Sequence, residues 1–274
     1  MKKVLRRLAA TLLVLLCAGY ISLIVLAFSS DSIIFQAQPA SYTDASLTAV
    51  LARRPIPGRL IHLNSGEQTV TAFYLPNPNA RFTLLFSHGN AEDIGEDFYF
   101  LQTFYDGGFS VMAYDYRGYG TSSGKPSEEG VYEDVFAAYD YLTEQLHVPP
   151  NQVIAMGRSL GCGAAVHLAA RRPVAALVIE APFLSAFRVL TRVQVLPWDK
   201  LNNARDIKRV HVPVMIVHGR NDQIVPFWHG ERLFVLANAP KVFLPIDGAG
   251  HNDVVFVAGK RYLGALRAFA SGLQ

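Results

Sequence analysis

Short apolar runs alternate with helix-forming segments along most of the chain. The runs are rich in β-branched and aromatic residues and end in glycine, proline or polar residues, which is typical of strands buried on both faces. They lie at residues 82–87, 109–115, 153–156, 174–180, 212–218 and 241–246. Because the runs alternate with helical segments, the pattern predicts βαβ units and a mainly parallel sheet, which is an α/β fold.

The predicted helices lie between these runs and after the last one. They cover residues 94–105, 127–147, a stretch from 161 onward, 226–237 and 253–270. Two earlier segments, 59–64 and 68–75, alternate apolar and polar residues around Ser65 and Gly66, which predicts an antiparallel hairpin at a sheet edge. The mixed composition from Ser29 to Pro57 predicts an irregular linker that wraps onto the domain.

The N-terminus combines a basic start with a long apolar segment. Residues 8–28 form 21 uncharged positions, which as a helix would span about 31 Å, close to the thickness of a hydrocarbon core. We predict an uncleaved signal-anchor with a cytoplasmic N-terminus and an extracytoplasmic domain. The alternative is a secreted protein cleaved after Ala27-Phe28-Ser29. A lipoprotein attachment at Cys17 is disfavoured because Leu16 precedes it.

The chain of 274 residues is long enough for one large α/β domain with a short appendage. We predict a transmembrane helix at residues 1–30, a linker at 31–58 and the domain at 59–274. The formal charge of +3 gives little support for nucleic-acid binding, because four cations lie before Leu8 and the remainder is near neutral. Cys17 and Cys162 predict no disulfide framework, and no metal-ligand spacing occurs, so we expect no metal or organic cofactor.

One glycine-rich motif carries candidate chemistry. Gly157 to Gly161 reads G-x-S-x-G, with Ser159 at its centre, a β-forming run before it and small residues after it. This context is typical of a strained turn between a strand and a helix that exposes a nucleophilic hydroxyl. The sequence assigns no role to the neighbouring Arg158.

A serine nucleophile needs a histidine base, and the histidine needs a carboxylate. Among the eight histidines, only His251 follows the last predicted strand in a glycine-rich loop and precedes a helix. Asp222 follows its strand and lies between the serine and the histidine in chain order, as expected for a Ser-Asp-His arrangement. Asp247 is the second choice for the acid. Asp115 is predicted to tie a loop by hydrogen bonds.

The tetrahedral intermediate also needs preorganised donors. We predict that the backbone N–H of Leu160 supplies one of them. The second should come from the loop after the strand at 82–87, with the N–H of Asn90 as first choice and that of Ala91 as second.

With these residues in place, the chain resembles the α/β-hydrolase-domain family from about Arg59 to the C-terminus. Five motifs stand in the family's order, at residues 88–91, 115–120, 157–161, 218–222 and 248–253. The similarity is strongest to the membrane-anchored, serine-aminopeptidase-like branch, which includes protein-depalmitoylating thioesterases. The resemblance implies an eight-stranded, mostly parallel sheet with helices on both faces. It also implies serine hydrolysis of an ester, thioester or amide, without defining the substrate.

The resemblance places a short lid at residues 183–211. This segment carries six cationic and two acidic side chains and no glutamate. Family aminopeptidases hold the substrate amine with lid carboxylates, so a basic lid favours an anionic or membrane-surface substrate. Its apolar residues either line an acyl pocket or belong to the core. They are Phe183, Phe187, Leu190, Val193, Val195, Leu196 and Trp198.

We therefore predict a membrane-anchored serine hydrolase of carboxylic esters or thioesters, acting through an acyl-enzyme on Ser159. A serine peptidase or aminopeptidase is the alternative. A non-catalytic, membrane-tethered interaction module is a third possibility, and the presence of the serine, aspartate and histidine disfavours it.

Overall fold

The computed structural model describes residues 2–53 and 58–273. Eight strands form one sheet in the order β1-β2-β4-β3-β5-β6-β7-β8. The strands are β1 (Arg59–Ser65), β2 (Gln68–Leu75), β3 (Thr83–Ser87), β4 (Ser110–Tyr114), β5 (Val153–Arg158), β6 (Ala176–Glu180), β7 (Val214–Gly219) and β8 (Lys241–Ile246). The β1–β2 and β2–β4 pairs are antiparallel and the other five pairs are parallel, which confirms the predicted sheet and the edge hairpin.

Eleven α-helices are described. They are α1 (Lys2–Phe28), α2 (Asp31–Ile34), α3 (Asp44–Ala52), α4 (Phe98–Asp106), α5 (Glu128–Asp140), α6 (Gly161–Ala169), α7 (Ala186–Thr191), α8 (Asn203–Asp206), α9 (Trp228–Leu236), α10 (Val254–Ala258) and α11 (Lys260–Ser271). Of these, α1 to α3 precede β1, α4 to α9 lie between strands, and α10 and α11 follow β8. A π-helical turn at Tyr141–Gln145 follows α5, and 3₁₀ turns lie at Pro150–Gln152 and Ile207–Arg209.

The structure divides into two compact units, one ending at Gln36 and the other beginning at Ala37. The first unit consists mainly of α1 and α2. Within the described part of the chain, α1 alone has the length and apolar composition needed to cross a membrane. Residues 54–57 of the predicted linker lie outside the described residues, as do the two terminal residues.

The core of the second unit lies on both faces of the sheet. Every residue of β3, β4 and β6 is buried, which explains why these strands are continuous apolar runs in the sequence. In β3, Leu84 and Phe86 pack in one cluster with residues of α3, α4 and α11. Leu85, which is also fully buried, points to the opposite face because successive strand side chains alternate. Helices therefore cover both faces, as the predicted fold requires.

The irregular conformation expected from Ser29 to Pro57 is wrong for residues 31–34, which form α2, and for residues 44–52, which form α3. Thr43 and Ser46 form a capping box at its N-terminus, with the Ser46 N–H donating to Thr43 Oγ1 at 3.2 Å. Leu47 and Leu51, one helical turn apart, are buried in the core cluster. The burial of this helical face places residues before Arg59 in the second compact unit.

Two predicted helices also have different bounds. The first helix after β3 begins at Phe98 rather than Ile94. Asp93 Oδ1 accepts hydrogen bonds from the Gly95 and Glu96 N–H groups and holds these residues in a turn. The C-terminal helix is divided at Gly259, which has a φ of 51° and separates α10 from α11.

Candidate active site

The turn between β5 and α6 holds Ser159 in a left-handed conformation. Its φ is 49°, which is uncommon for a residue with a side chain. The turn is anchored from the neighbouring strand, because the Ser159 N–H donates to the Glu180 carbonyl at 2.9 Å. Backbone strain of this kind persists only where the surrounding structure supports it, and it is concentrated at functional sites.

The two glycines of the motif are required by close backbone approaches. A Cβ atom on Gly157 would lie 2.3 Å from the Gly161 carbonyl oxygen. A Cβ on Gly161 would lie 2.0 Å from the Ser87 carbonyl oxygen, at the end of the adjacent strand β3. A larger residue at either position would push the turn away from the sheet, which is why both positions of the motif are glycine.

Ser159, His251 and Asp222 form a hydrogen-bonded chain across the ends of three strands. His251 Nε2 lies 2.8 Å from Ser159 Oγ, and His251 Nδ1 lies 2.7 Å from Asp222 Oδ2. A carboxylate can only accept, so Nδ1–H donates to Asp222 and Nε2 is left to accept from the serine hydroxyl. The structure thus brings together the three side chains that the sequence selected, in the geometry of a nucleophile, a base and an orienting acid.

The Asp222 carboxylate is held by four donors. Its Oδ1 accepts from the Ile224 and Val225 N–H groups at 2.9 and 2.8 Å, while Oδ2 faces His251 and His218. Burial raises the pKa of this carboxyl, but the hydrogen bonds from His218 and His251 outweigh burial and hold the pKa below its ordinary range. Asp222 is therefore ionised at neutral pH.

His218 is a site residue that the sequence reasoning missed. Its imidazole is fully buried, with Nε2 2.9 Å from the Val225 carbonyl and 3.2 Å from Asp222 Oδ2. Because a carbonyl only accepts, Nε2 carries hydrogen and can donate to both oxygens. The available signal was a histidine at the end of a predicted strand, four residues before the selected acid.

The predicted oxyanion donors lie on two loops. Leu160 is the N-cap of α6, so its backbone N–H lies at the positive end of a helix. The Asn90 side chain supports the other loop, since its Oδ1 accepts from Tyr119 Oη at 2.7 Å and from the Ala91 N–H at 3.1 Å. The Ala91 N–H is thus engaged by the Asn90 side chain.

Asp247 and Asp115, the two other acids considered from the sequence, lie outside the chain of hydrogen bonds from Ser159 to Asp222. Asp247 is exposed and pairs with Arg220 Nε at 2.7 Å, away from the His251 hydrogen bonds. Asp115 is fully buried and accepts from Tyr42 Oη at 2.6 Å and from the Ile94 N–H at 2.9 Å. It ties two loops together, as expected. Burial raises the pKa of Asp115 to about 8.

Both carboxylates of the lid segment are engaged in ion pairs. Asp199 is paired with Arg188 Nε at 3.1 Å and Asp206 with Arg171 Nη1 at 3.0 Å. The apolar lid residues differ in burial. Phe183 and Leu196 are buried, Phe187 and Trp198 are half-buried, and Leu190, Val193 and Val195 are exposed.

Among the described residues, no three His, Cys, Asp or Glu side chains are grouped to hold a metal ion.

Comparison with known sequences identifies relatives. A family model described as serine aminopeptidase, S33, matches residues 78–203. The chain is 38% identical over 215 residues to alpha/beta hydrolase domain-containing protein 17B from Homo sapiens, covering 76% of this chain and 73% of the human protein. It is 40% identical over 200 residues to the protein aho-3 from Caenorhabditis elegans, covering 71% of this chain and 59% of the nematode protein. The chain therefore spans less than two thirds of the nematode relative.

Solved structures share the fold at low sequence identity. The esterase Pf2001 from Pyrococcus furiosus superposes with a TM-score of 0.71 at 15% identity, covering 87% of this chain and 98% of the esterase. Est1E from Butyrivibrio proteoclasticus, solved with ferulic acid bound, has a TM-score of 0.64 at 17% identity, with 77% and 99% coverage. At these identities the likeness concerns the arrangement of strands and helices.

Proposed function

The chain belongs to the α/β-hydrolase-domain family, and we propose that it is a serine hydrolase that cleaves a carboxylic ester or thioester. The observation that carries the proposal is the hydrogen-bonded chain from Ser159 through His251 to Asp222, built on a strained turn. A nucleophile, its base and an orienting acid in that order constitute the machinery of acyl transfer.

In the proposed mechanism, Ser159 Oγ attacks the acyl carbonyl while His251 Nε2 takes the hydroxyl proton. The tetrahedral intermediate collapses, the bond to the leaving group breaks, and His251 gives the proton to the leaving oxygen or sulfur. Water then attacks the acyl-serine with His251 as base, which releases the acid and restores the serine. Asp222 stays ionised throughout and stabilises the imidazolium.

The negative charge on the carbonyl oxygen needs donors that are already in position. We assign these to the backbone N–H groups of Leu160, at the start of α6, and of Asn90, on the loop after β3. Removing one such donor typically lowers kcat about 10²- to 10³-fold.

The lid favours an ester or thioester over an amide with a free amine. An aminopeptidase lid needs a carboxylate for the substrate amine, but Asp199 and Asp206 are each neutralised by arginine. The surplus of lid cations suits an anionic or membrane-surface substrate. The matched family description keeps a serine peptidase as the second candidate. A panel of acyl esters, acyl thioesters and aminoacyl amides separates the two, and preference for the amides would reverse our choice.

The chemistry is tested with Ser159→Ala. We expect this variant to lose hydrolysis of a short p-nitrophenyl ester and labelling by a fluorophosphonate probe. Ser271→Ala is the matched control, since its exposed hydroxyl donates to the Ala268 carbonyl in α11. If folded wild-type protein is not labelled at Ser159, the non-catalytic interaction module becomes the better explanation.

For the N-terminal segment we propose a membrane anchor at residues 1–30 with a cytoplasmic N-terminus and an extracytoplasmic hydrolase domain. The support is the length and apolar composition of α1 behind four cationic residues. We expect the chain to resist alkaline extraction from membranes, and we expect protease added to cells that are permeable only at the outer surface to digest the hydrolase domain. Protection of the domain from that protease would contradict the proposed orientation. Release of a shortened, soluble protein would instead support signal cleavage.

A further inference from the structure

Arg158, the residue before the proposed nucleophile, reaches away from the serine into a cluster of acids. Its Nη2 donates to Glu92 Oε2 and to Asp97 Oδ1, the second at 2.7 Å. The guanidinium also lies over the Phe100 ring, 4.9 Å from its centroid. Only 15% of the Arg158 side chain is exposed, so these contacts are made with little competing water. A charged side chain is thus held firmly at the end of β5.

Glu92 connects this arginine to the loop that follows β3. The same Oε2 atom that accepts from Arg158 also accepts from the Gly89 N–H at 2.9 Å. The contact is close, because a Cβ on Gly89 would lie 2.5 Å from Glu92 Oε2. The carboxylate therefore folds the loop 89–92 back on itself and attaches it to the end of β5. Asn90 lies inside this loop.

Asp97 holds the other side of the guanidinium. It is the N-cap residue of α4, and only 6% of its side chain is exposed. Arg158 thus joins the proposed nucleophile turn both to the loop after β3 and to the helix that follows the loop. Two carboxylates bound to one guanidinium fix its plane more firmly than a single pair would.

We propose that Arg158 is a positioning residue that locks the loop of Asn90 against the turn of Ser159 and Leu160, through Glu92. An oxyanion site built on two separate loops works only when both N–H groups converge on one oxygen. The Arg158–Glu92 link sets the distance between the loops. This inference rests on the proposed function, because it assigns the link a role in stabilising the transition state of acyl transfer.

The expected signature is a loss of kcat with little change in KM. The oxyanion carries its full charge only in the transition state, so misplacing a donor weakens that state more than the bound substrate. Arg158→Met and Glu92→Ala should each lower kcat on the order of 10- to 100-fold, somewhat less than complete removal of a donor. Glu92→Gln keeps an acceptor for Gly89 and Arg158, so it should restore kcat to within about fivefold of wild type.

The experiment measures kcat and KM for a p-nitrophenyl ester, the fluorophosphonate labelling rate and thermal unfolding, all on the full-length chain. The kcat of the double variant Arg158→Met/Glu92→Ala should lie within about threefold of the kcat of the less active single variant, because both changes break the same link. Arg171→Met is the matched control. It removes another arginine paired with a buried aspartate, Asp206, but it lies beyond the far end of α6 from Ser159.

Several outcomes would overturn the inference. It is wrong if Arg158→Met keeps kcat within twofold of wild type while Ser159→Ala is inactive, or if the losses multiply in the double variant. If Arg171→Met loses as much activity as Arg158→Met, then Arg158 contributes only to general stability and does not position the loop. If Arg158→Met does not fold, the comparison of Glu92→Ala with Glu92→Gln decides, and equal kcat values contradict the link. Failure of the proposed function is distinct, because wild-type Ser159 itself would then not be labelled.

Discussion

Replacing Asp222 with asparagine tests the proposed mechanism by changing one atom of the site. In the native structure Oδ1 accepts two backbone N–H groups, from Ile224 and Val225. The asparagine oxygen must occupy that position, because an amino group there would face two donors. The Nδ2 group then points at His251, where Oδ2 now lies 2.7 Å from Nδ1.

The consequence for His251 follows from this orientation. An amino group cannot accept from Nδ1–H, so the imidazole is driven to the tautomer with hydrogen on Nε2. Nε2 then donates toward Ser159 and can no longer take the hydroxyl proton. In serine proteases the corresponding substitution lowers kcat about 10⁴-fold, which equals about 5.5 kcal/mol of transition-state stabilisation. We expect a loss of this size here, with the fold retained.

The assay is kcat for a p-nitrophenyl ester at neutral pH, with circular dichroism to check folding. Asp247→Asn is the matched control. This carboxylate also follows a strand, but it is exposed and pairs only with Arg220 among the described contacts. Loss of less than tenfold in Asp222→Asn, or equal losses in the two variants, would refute the tautomer argument.

Three further predictions concern the turn, the buried acids and the N-terminal part of the domain. Gly161→Ala should abolish ester hydrolysis or soluble expression, because the new Cβ would lie 2.0 Å from the Ser87 carbonyl oxygen; wild-type turnover would contradict this. Burial raises the pKa of Asp115 to about 8 in the folded protein, whereas in the unfolded chain the carboxyl has its ordinary pKa of 3.8. Between these two pH values the folded protein therefore holds a proton that the unfolded chain has released. The free energy of unfolding should therefore fall between about pH 4 and 8, and denaturant titrations of Asp115→Asn should lack this part of the slope. Leu47→Ala should lower the free energy of unfolding by about 2–5 kcal/mol in urea titrations, because Leu47 is buried in the core. No effect would mean that α3 is peripheral to the fold.

The sequence by itself determined much of this protein because parallel strands are buried on both faces. Their apolar runs are therefore continuous and easily recognised, as at Thr83–Ser87 and Ala176–Glu180. It also selected the triad candidates, since functional groups of such sheets gather after strand ends and Ser159, Asp222 and His251 stand in the expected chain order. The capping residues Thr43 and Ser46 mark the start of α3 in the sequence, but the mixed composition around them concealed the helix.

Only the tertiary structure decided which side chains meet. Arg158 and Glu92 are 66 positions apart, and their pairing arises because β5 lies beside β3 in the sheet. The same holds for His218, whose approach to Asp222 depends on how the loop after β7 folds. Hydrophobic periodicity records which face of an element is buried, but it carries no information about the partner of a polar atom. That partner is fixed by strand order and loop geometry, which arise when the whole sheet assembles.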